Sequence, residues 1–295
     1  MKNIFLYILT AFIWGSTWLA IKFQLGVVDP QLSVAYRFGL SGFILLVFCR
    51  LTGRTLRFSG KQHLWLVLQG IFMFSIHYWL VYMAEVQLPS GLVSVIFSTT
   101  LFWNIVWARL FLKMSVNRAV VLGGVIGMIG IFLVFKGEII GFSFSDKTSF
   151  AVLLCILGAL MVSLGNIISA HNQRIKIPVF QINAFGMIYG SLIMLALAAV
   201  LDTPFAFDFS FSYISSILYL SIFGSIVAFS AYLTLLGNIG PDRAGYVTLL
   251  FPIIALVLST LFEGYAWTIP ALFGVLLILG GNFLVLEKKS VERLE

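Results

Sequence analysis

At 295 residues, 61% hydrophobic, 10% charged and with a mean hydropathy of +1.07, this chain carries more apolar surface than a soluble domain can bury. Its formal net charge of +7 does not describe a nucleic-acid face, because the basic residues lie in short stretches between apolar runs, beside which an anionic membrane surface is the natural partner. Cys49 and Cys155 fall in or at the end of apolar runs and read as small buried hydrophobes, with no disulfide framework, metal set or cofactor implied.

Ten apolar runs follow one another, near 4–25, 33–50, 63–84, 90–112, 117–136, 148–170, 177–200, 211–236, 241–262 and 267–286. Each approaches the roughly 20 residues that a helix needs to cross a hydrocarbon core. The first run is too long for a signal peptide, ends on Lys22 and Gln24 and has no small-x-small site, so it reads as a retained span. It carries Trp14 and Thr17. The second run carries Arg37. The third carries Ser75, Tyr78 and Tyr82 at spacings of three and four, one helical face, with His77 turned about 100° from Tyr78. The fourth has Ser94 and Ser98, and the fifth the glycines 123, 124, 127 and 130. The sixth offers Ser163 and Asn166, and the eighth Ser221, Ser225 and Tyr232. The ninth has Thr248 and Pro252, and the tenth the glycines 274, 280 and 281. Breakers stand between runs at Asp29-Pro30, Pro89-Ser90, Pro178, Pro204 and Gly240-Pro241.

With the N-terminus in the cytoplasm, the inner segments hold Lys2, Arg50, Arg54, Arg57, Lys61, Lys113, Arg118, Arg174, Lys176, Arg243, Lys288, Lys289 and Arg293. The outer loops hold only Lys136 and Lys147, with Asp29, Glu85, Glu138, Asp146, Asp202, Asp208 and Glu263. This asymmetry predicts both termini inside and an even number of spans. The second half also repeats the first. Ser75 and Ser225, Tyr82 and Tyr232, Ser98 and Thr248, Gly124 and Gly274, and Gly130 and Gly280 all stand 150 residues apart. Five spans per half, an odd number, make the halves inverted, as in carriers that bind at the midplane. The predicted fold is therefore all-α, with ten transmembrane helices in two inverted five-helix repeats, residues 1–140 and 148–290.

The order Trp14-Gly15-Ser16-Thr17, Lys22, Asp29-Pro30 and Tyr36-Arg37-Phe38 resembles the opening of the drug/metabolite transporter superfamily in its EamA branch. So do the segment from Tyr82 through Leu88-Pro89-Ser90 to Gly130 and the segment from Tyr232 through Gly240-Pro241 to Gly280. The resemblance covers nearly the whole chain. It implies ten spans, inverted halves, the inner membrane and export of amino acids and related metabolites. Departures are Phe102 where the second half has Pro252, and Lys113 where it has Glu263.

Polar groups inside a bilayer face a cavity or another helix. A cavity between runs 1, 3, 4, 6, 8 and 9 would collect Trp14, Thr17, Ser75, Tyr78, Tyr82, Ser98, Asn166, Ser225, Tyr232 and Thr248 as substrate contacts. Any one serine or threonine reads first as bonding back to its own helix, while the two tyrosines near helix ends read equally as belt or gate residues. His77 reads as a packing histidine, with a proton relay as the sharper alternative. Arg37 and Lys22 are expected to be structural charges, pairing with Asp29 or snorkelling outward. Pro252 frees the carbonyl of Thr248, for a substrate amine, a water or a local bond to fill. The glycines are expected to pack helices within each half. No Walker loop is present, so no built-in ATP motor is expected. The functional reading is a secondary transporter for a small amphipathic metabolite, monomeric or homodimeric among membrane lipids, with no nucleic acid and no enzyme chemistry. The alternative is a lipid-handling membrane protein.

Overall fold

A computed structural model describes residues 2–88, 90–113, 118–134, 136, 146–262 and 267–287. The described residues are helical throughout, without strand. In chain order the helices are α1 (Lys2–Lys22), α2 (Pro30–Leu51), α3 (Gly60–Met73), α4 (Ile76–Glu85), α5 (Ser90–Phe97), α6 (Thr100–Leu112) and α7 (Arg118–Val134). Then come α8 (Asp146–Arg174), α9 (Val179–Val200), α10 (Phe211–Tyr219), a π-helical segment (Leu220–Val227), α11 (Ala228–Ile239), α12 (Pro241–Ala244), α13 (Val247–Phe262) and α14 (Ile269–Glu287). Taking α3–α4, α10–α11 and α12–α13 as continuous stretches, seven helices are long and apolar enough to cross a membrane, and Thr100–Leu112, Arg118–Val134 and Ile269–Gly281 are shorter apolar helices. Pro89, Glu138, Glu263, Lys288, Lys289 and Arg293 lie outside the described residues.

Local chemistry sets several of these ends. Pro30 opens α2, where its missing N–H costs nothing. Ser59 and Gln62 form a reciprocal capping box at the start of α3. Gly240, at φ 88°, supplies the left-handed turn between α11 and Pro241 that a side chain would resist.

The third run is not one continuous helix. It breaks at Phe74–Ser75, where the Ser75 hydroxyl donates to the carbonyls of Gly70 and Ile71 at 2.9 and 3.0 Å. Apolar residues flank the break on both sides, so periodicity alone does not reveal it, and a face counted from Ser75 through Tyr82 crosses a discontinuity. The eighth run widens into i→i+5 turns at 220–227, a geometry frequent at functional sites.

The helices interlock. α2 packs along α9, and α7 along α14; α1 packs against α13 and α11; α8 packs against α3, α4 and α6. The glycine contacts therefore correct the expectation that they serve each half separately: they join the fifth run to the tenth. A Cβ on Gly130 would sit 2.6 Å from the Gly274 carbonyl oxygen, and one on Gly281 2.6 Å from that of Gly123. Gly280, the repeat partner of Gly130, has nothing within 4 Å of its Cβ position and is exposed. The register of close approach thus differs from the register of the repeat, because the two helices meet each other and each shows the other a different face.

Candidate functional site

The central cavity lies between α1, α4, the α5–α6 junction, α8, α11 and α13. Its open volume is about 50 Å³, room for water-sized molecules between the helices as they stand. Trp14, Thr17, Tyr78, Asn166, Tyr232 and Thr248 line it, and so does His77. His77 and Tyr78, neighbours within α4, both line the cavity. Ser75, Tyr82, Ser98 and Ser225 are buried but are not part of the wall.

Most of the wall is aromatic. Trp14 packs tilted on Tyr232 at 4.8 Å and edge-on to Phe229 at 5.0 Å; Trp18 lies 5.6 Å from Phe97 and 5.5 Å from Phe251; His77 lies 4.1 Å from Tyr78. Trp18, Phe97, Phe229 and Phe251, together with Thr100, are cavity residues that the sequence reading did not name. Aromatics in a chain with 29 phenylalanines and 7 tryptophans look like lipid-facing bulk. Only a helical face shared with a polar or aromatic neighbour distinguishes them, as Trp18 shares one with Trp14, Phe229 with Tyr232 and Phe251 with Thr248.

The threonine hydroxyls are spent on their own helices: Thr17 donates to the Trp14 carbonyl at 2.8 Å, Thr100 to Phe97 at 2.6 Å and Thr248 to Gly245 at 2.7 Å. Other polar atoms are free. The Trp18 Nε1, His77 Nδ1, Asn166 Oδ1 and Tyr232 hydroxyl are buried without a hydrogen-bond partner among the described residues. Asn166 donates to Asn104 Oδ1 at 3.0 Å, which aims its carboxamide. The wall thus presents donors and acceptors whose desolvation is uncompensated until something fills the space.

Two further expectations are revised. The carbonyl of Thr248, released by Pro252, accepts from the hydroxyl of Ser98 at 2.7 Å. The repeat partner of Thr248 thus supplies a bond to it from another helix. Arg37, expected to snorkel or to pair with Asp29, is wholly buried, while Asp29 is exposed. Its Nε donates to Ser225 Oγ at 3.0 Å and its Nη1 to the Tyr82 hydroxyl at 3.4 Å, and Tyr82 donates on to Gln24 at 2.8 Å. Its guanidinium also covers the Tyr78 ring, 4.6 Å from the centroid. The Arg37 backbone carbonyl accepts from Ser41 and Ser221, tying α2 to the π segment. Lys22 is half-buried at the end of α1. Glu85, read as an outer-loop acid, is buried at the end of α4.

The chain resembles proteins of known type along its length. It is 24% identical over 286 residues to protein PagO of Salmonella typhimurium, spanning 97% of this chain and 93% of that one. It is 28% identical over 257 residues to the uncharacterized inner membrane transporter YedA of Escherichia coli, spanning 84% and 78%. A solved structure, titled only as the crystal structure of a protein, superposes with a TM-score of 0.79 at 18% identity, over 99% of this chain and 98% of that one, a likeness of fold. Residues 1–136 and 149–287 match the EamA-like transporter family, and the chain belongs to that family.

Proposed function

We propose that the protein is a secondary transporter that exports a small amphipathic metabolite, an amino acid being the leading class, by alternating access around the central cavity. The observation that carries this reading is the cavity itself: runs 1, 3 and 4 supply half of its wall and runs 6, 8 and 9 the other half, with unpartnered polar atoms from both. The inverted ten-span arrangement is supported by mirrored packing. With a shift of 150 residues, the contact of α1 with α13 maps onto that of α8 with the α5–α6 run, and α1 with α11 onto α8 with α4. The second and seventh runs, and the fifth and tenth, map onto themselves. Inner-membrane residence agrees with the name given to YedA, and the basic-residue asymmetry supports a cytoplasmic position for both termini.

The test is counterflow of radiolabelled amino acids into vesicles containing the purified protein. Flux above protein-free vesicles is expected, and none for any amino acid would remove the substrate class. Asn166→Ala removes a free acceptor from the wall and the donor to Asn104, and is expected to cut flux roughly tenfold at subsaturating substrate, in proportion to one buried hydrogen bond. His77 is held among Tyr78 and Phe97 as a packing ring. His77→Gln is therefore expected to lower flux without moving its pH profile, and a shifted profile would restore the proton-relay reading.

A further inference from the structure

We propose that Arg37 anchors a carboxylate on the transported molecule, so that the substrates are carboxylates with an apolar or aromatic body. This rests on reading the central cavity as the transport site and names the chemistry it selects. Arg37 is a fully buried cation whose partners are hydroxyls and rings; among the described residues no carboxylate bonds to it. Among the described residues its Nη2 has no hydrogen-bond partner. A guanidinium is built for two parallel bonds to a carboxylate, and burying one without a counter-charge is costly. The missing charge is one that a bound molecule can bring.

The guanidinium lies immediately behind the cavity wall. The Tyr78 ring, which lines the cavity, lies beneath the guanidinium carbon. On another side stands Gly224, in the π segment. A Cβ there would meet Arg37 Nη2 at 3.2 Å and the Cγ2 of cavity-lining Thr17 at 2.9 Å. A single missing side chain therefore leaves the free nitrogen and the cavity wall as near neighbours. The Nε bond to Ser225 and the Nη1 bond to Tyr82 hold the guanidinium on both sides of Nη2, so that nitrogen is kept in place. The apolar body of the ligand fits the rings of Trp14, Trp18 and Phe229.

Three probes that share a phenyl ring on a two-carbon chain separate the functional groups: 3-phenylpropionate, phenylalanine and 2-phenylethylamine. They are titrated at neutral pH against the full chain in lipid nanodiscs, with the thermal unfolding midpoint and tryptophan fluorescence as readouts. The two carboxylates are expected to raise the midpoint and the amine to leave it unchanged. Arg37→Gln is expected to weaken both carboxylates roughly 10- to 100-fold, the scale of a hydrogen bond to a charged group. Arg37→Lys keeps the charge, guards against a misfolded glutamine variant, and is expected to retain part of the binding. Gly224→Ala keeps Arg37 but crowds its free nitrogen, and is expected to weaken the carboxylates. An amine that stabilises as well as the acids, carboxylate binding that survives Arg37→Gln, or no response to any probe overturns the assignment. Vesicle flux separates this from failure of the carrier reading: flux of the amine with no preference for the acids leaves a transporter without this anchor, and no flux of any compound removes the transporter as well.

Discussion

Gly274→Leu is expected to abolish recovery of folded protein, whereas Gly280→Leu, six residues on in the same helix, is tolerated. The first Cβ would stand 2.7 Å from the Val134 Cγ2 and 2.8 Å from its backbone nitrogen, and against the Gly130 carbonyl oxygen. Overpacking costs about 1–3 kcal/mol when side chains can shift. Here two of the three neighbours are backbone of α7, itself held close by Gly281 against Gly123, so only separation of α7 from α14 relieves the clash. That contact is a principal seam between the halves, and without an apolar driving force between helices in lipid, close packing supplies much of the association. A loss above about 3 kcal/mol is the expected scale. At Gly280 the same substitution meets open space, with an expected change within about 0.5 kcal/mol. Size-exclusion profiles and thermal midpoints in one detergent check the pair; equal behaviour of the two variants would mean that the seam is not where the structure puts it.

Ser98→Ala is expected to cost about 1–3 kcal/mol, because it strands the Thr248 carbonyl in a buried site. Pro252 lacks the N–H that would otherwise serve that carbonyl, so the serine of one half completes a helix of the other. The decisive measurement is a double-mutant cycle. In a Pro252→Ala background residue 252 regains its N–H and closes the i→i−4 bond itself. Ser98→Ala is then expected to cost less than about 0.5 kcal/mol, leaving a coupling of roughly 1–2 kcal/mol between residues far apart in sequence. An equal cost of Ser98→Ala in both backgrounds would show that the bond contributes nothing. Because Thr248 lines the cavity, Ser98→Ala is also expected to lower flux while Pro252→Ala stiffens α13; changed stability with wholly unchanged flux in both variants would confine the pair to architecture.

These cases show what residue patterns carry and what they omit. The apolar runs were plain from composition, and the 150-residue offset set Ser98 beside Thr248 before any coordinate was known. Proline chemistry pointed to the Thr248 carbonyl as a vacancy, but the choice among a substrate, a water and a side chain depends on packing between distant helices. Arg37 was misplaced for a related reason. Distance from a run's end gives depth along the bilayer and says nothing of which face turns inward, and a cation whose partners are hydroxyls has no acidic counterpart to find in the sequence. The break at Ser75 hides because the apolar pattern runs through it, and His77 lines the cavity beside Tyr78 although the two point about 100° apart on α4. Trp18, Phe97, Phe229 and Phe251 were overlooked because an aromatic ring suits lipid, core and cavity alike.

The interlocking of the second run with the seventh and the fifth with the tenth bears on how the protein is made. Gly130 meets Gly274, which leaves the ribosome about 144 residues later, on the order of ten seconds or more at typical synthesis rates. During that interval α7 stands without the helix that its closest-fitting surface meets. Neither half then forms a finished unit by itself. The last helix to emerge closes the seam, so chains that stall or are cut before α14 leave that surface open to lipid, to quality-control proteases or to the complementary half of another copy.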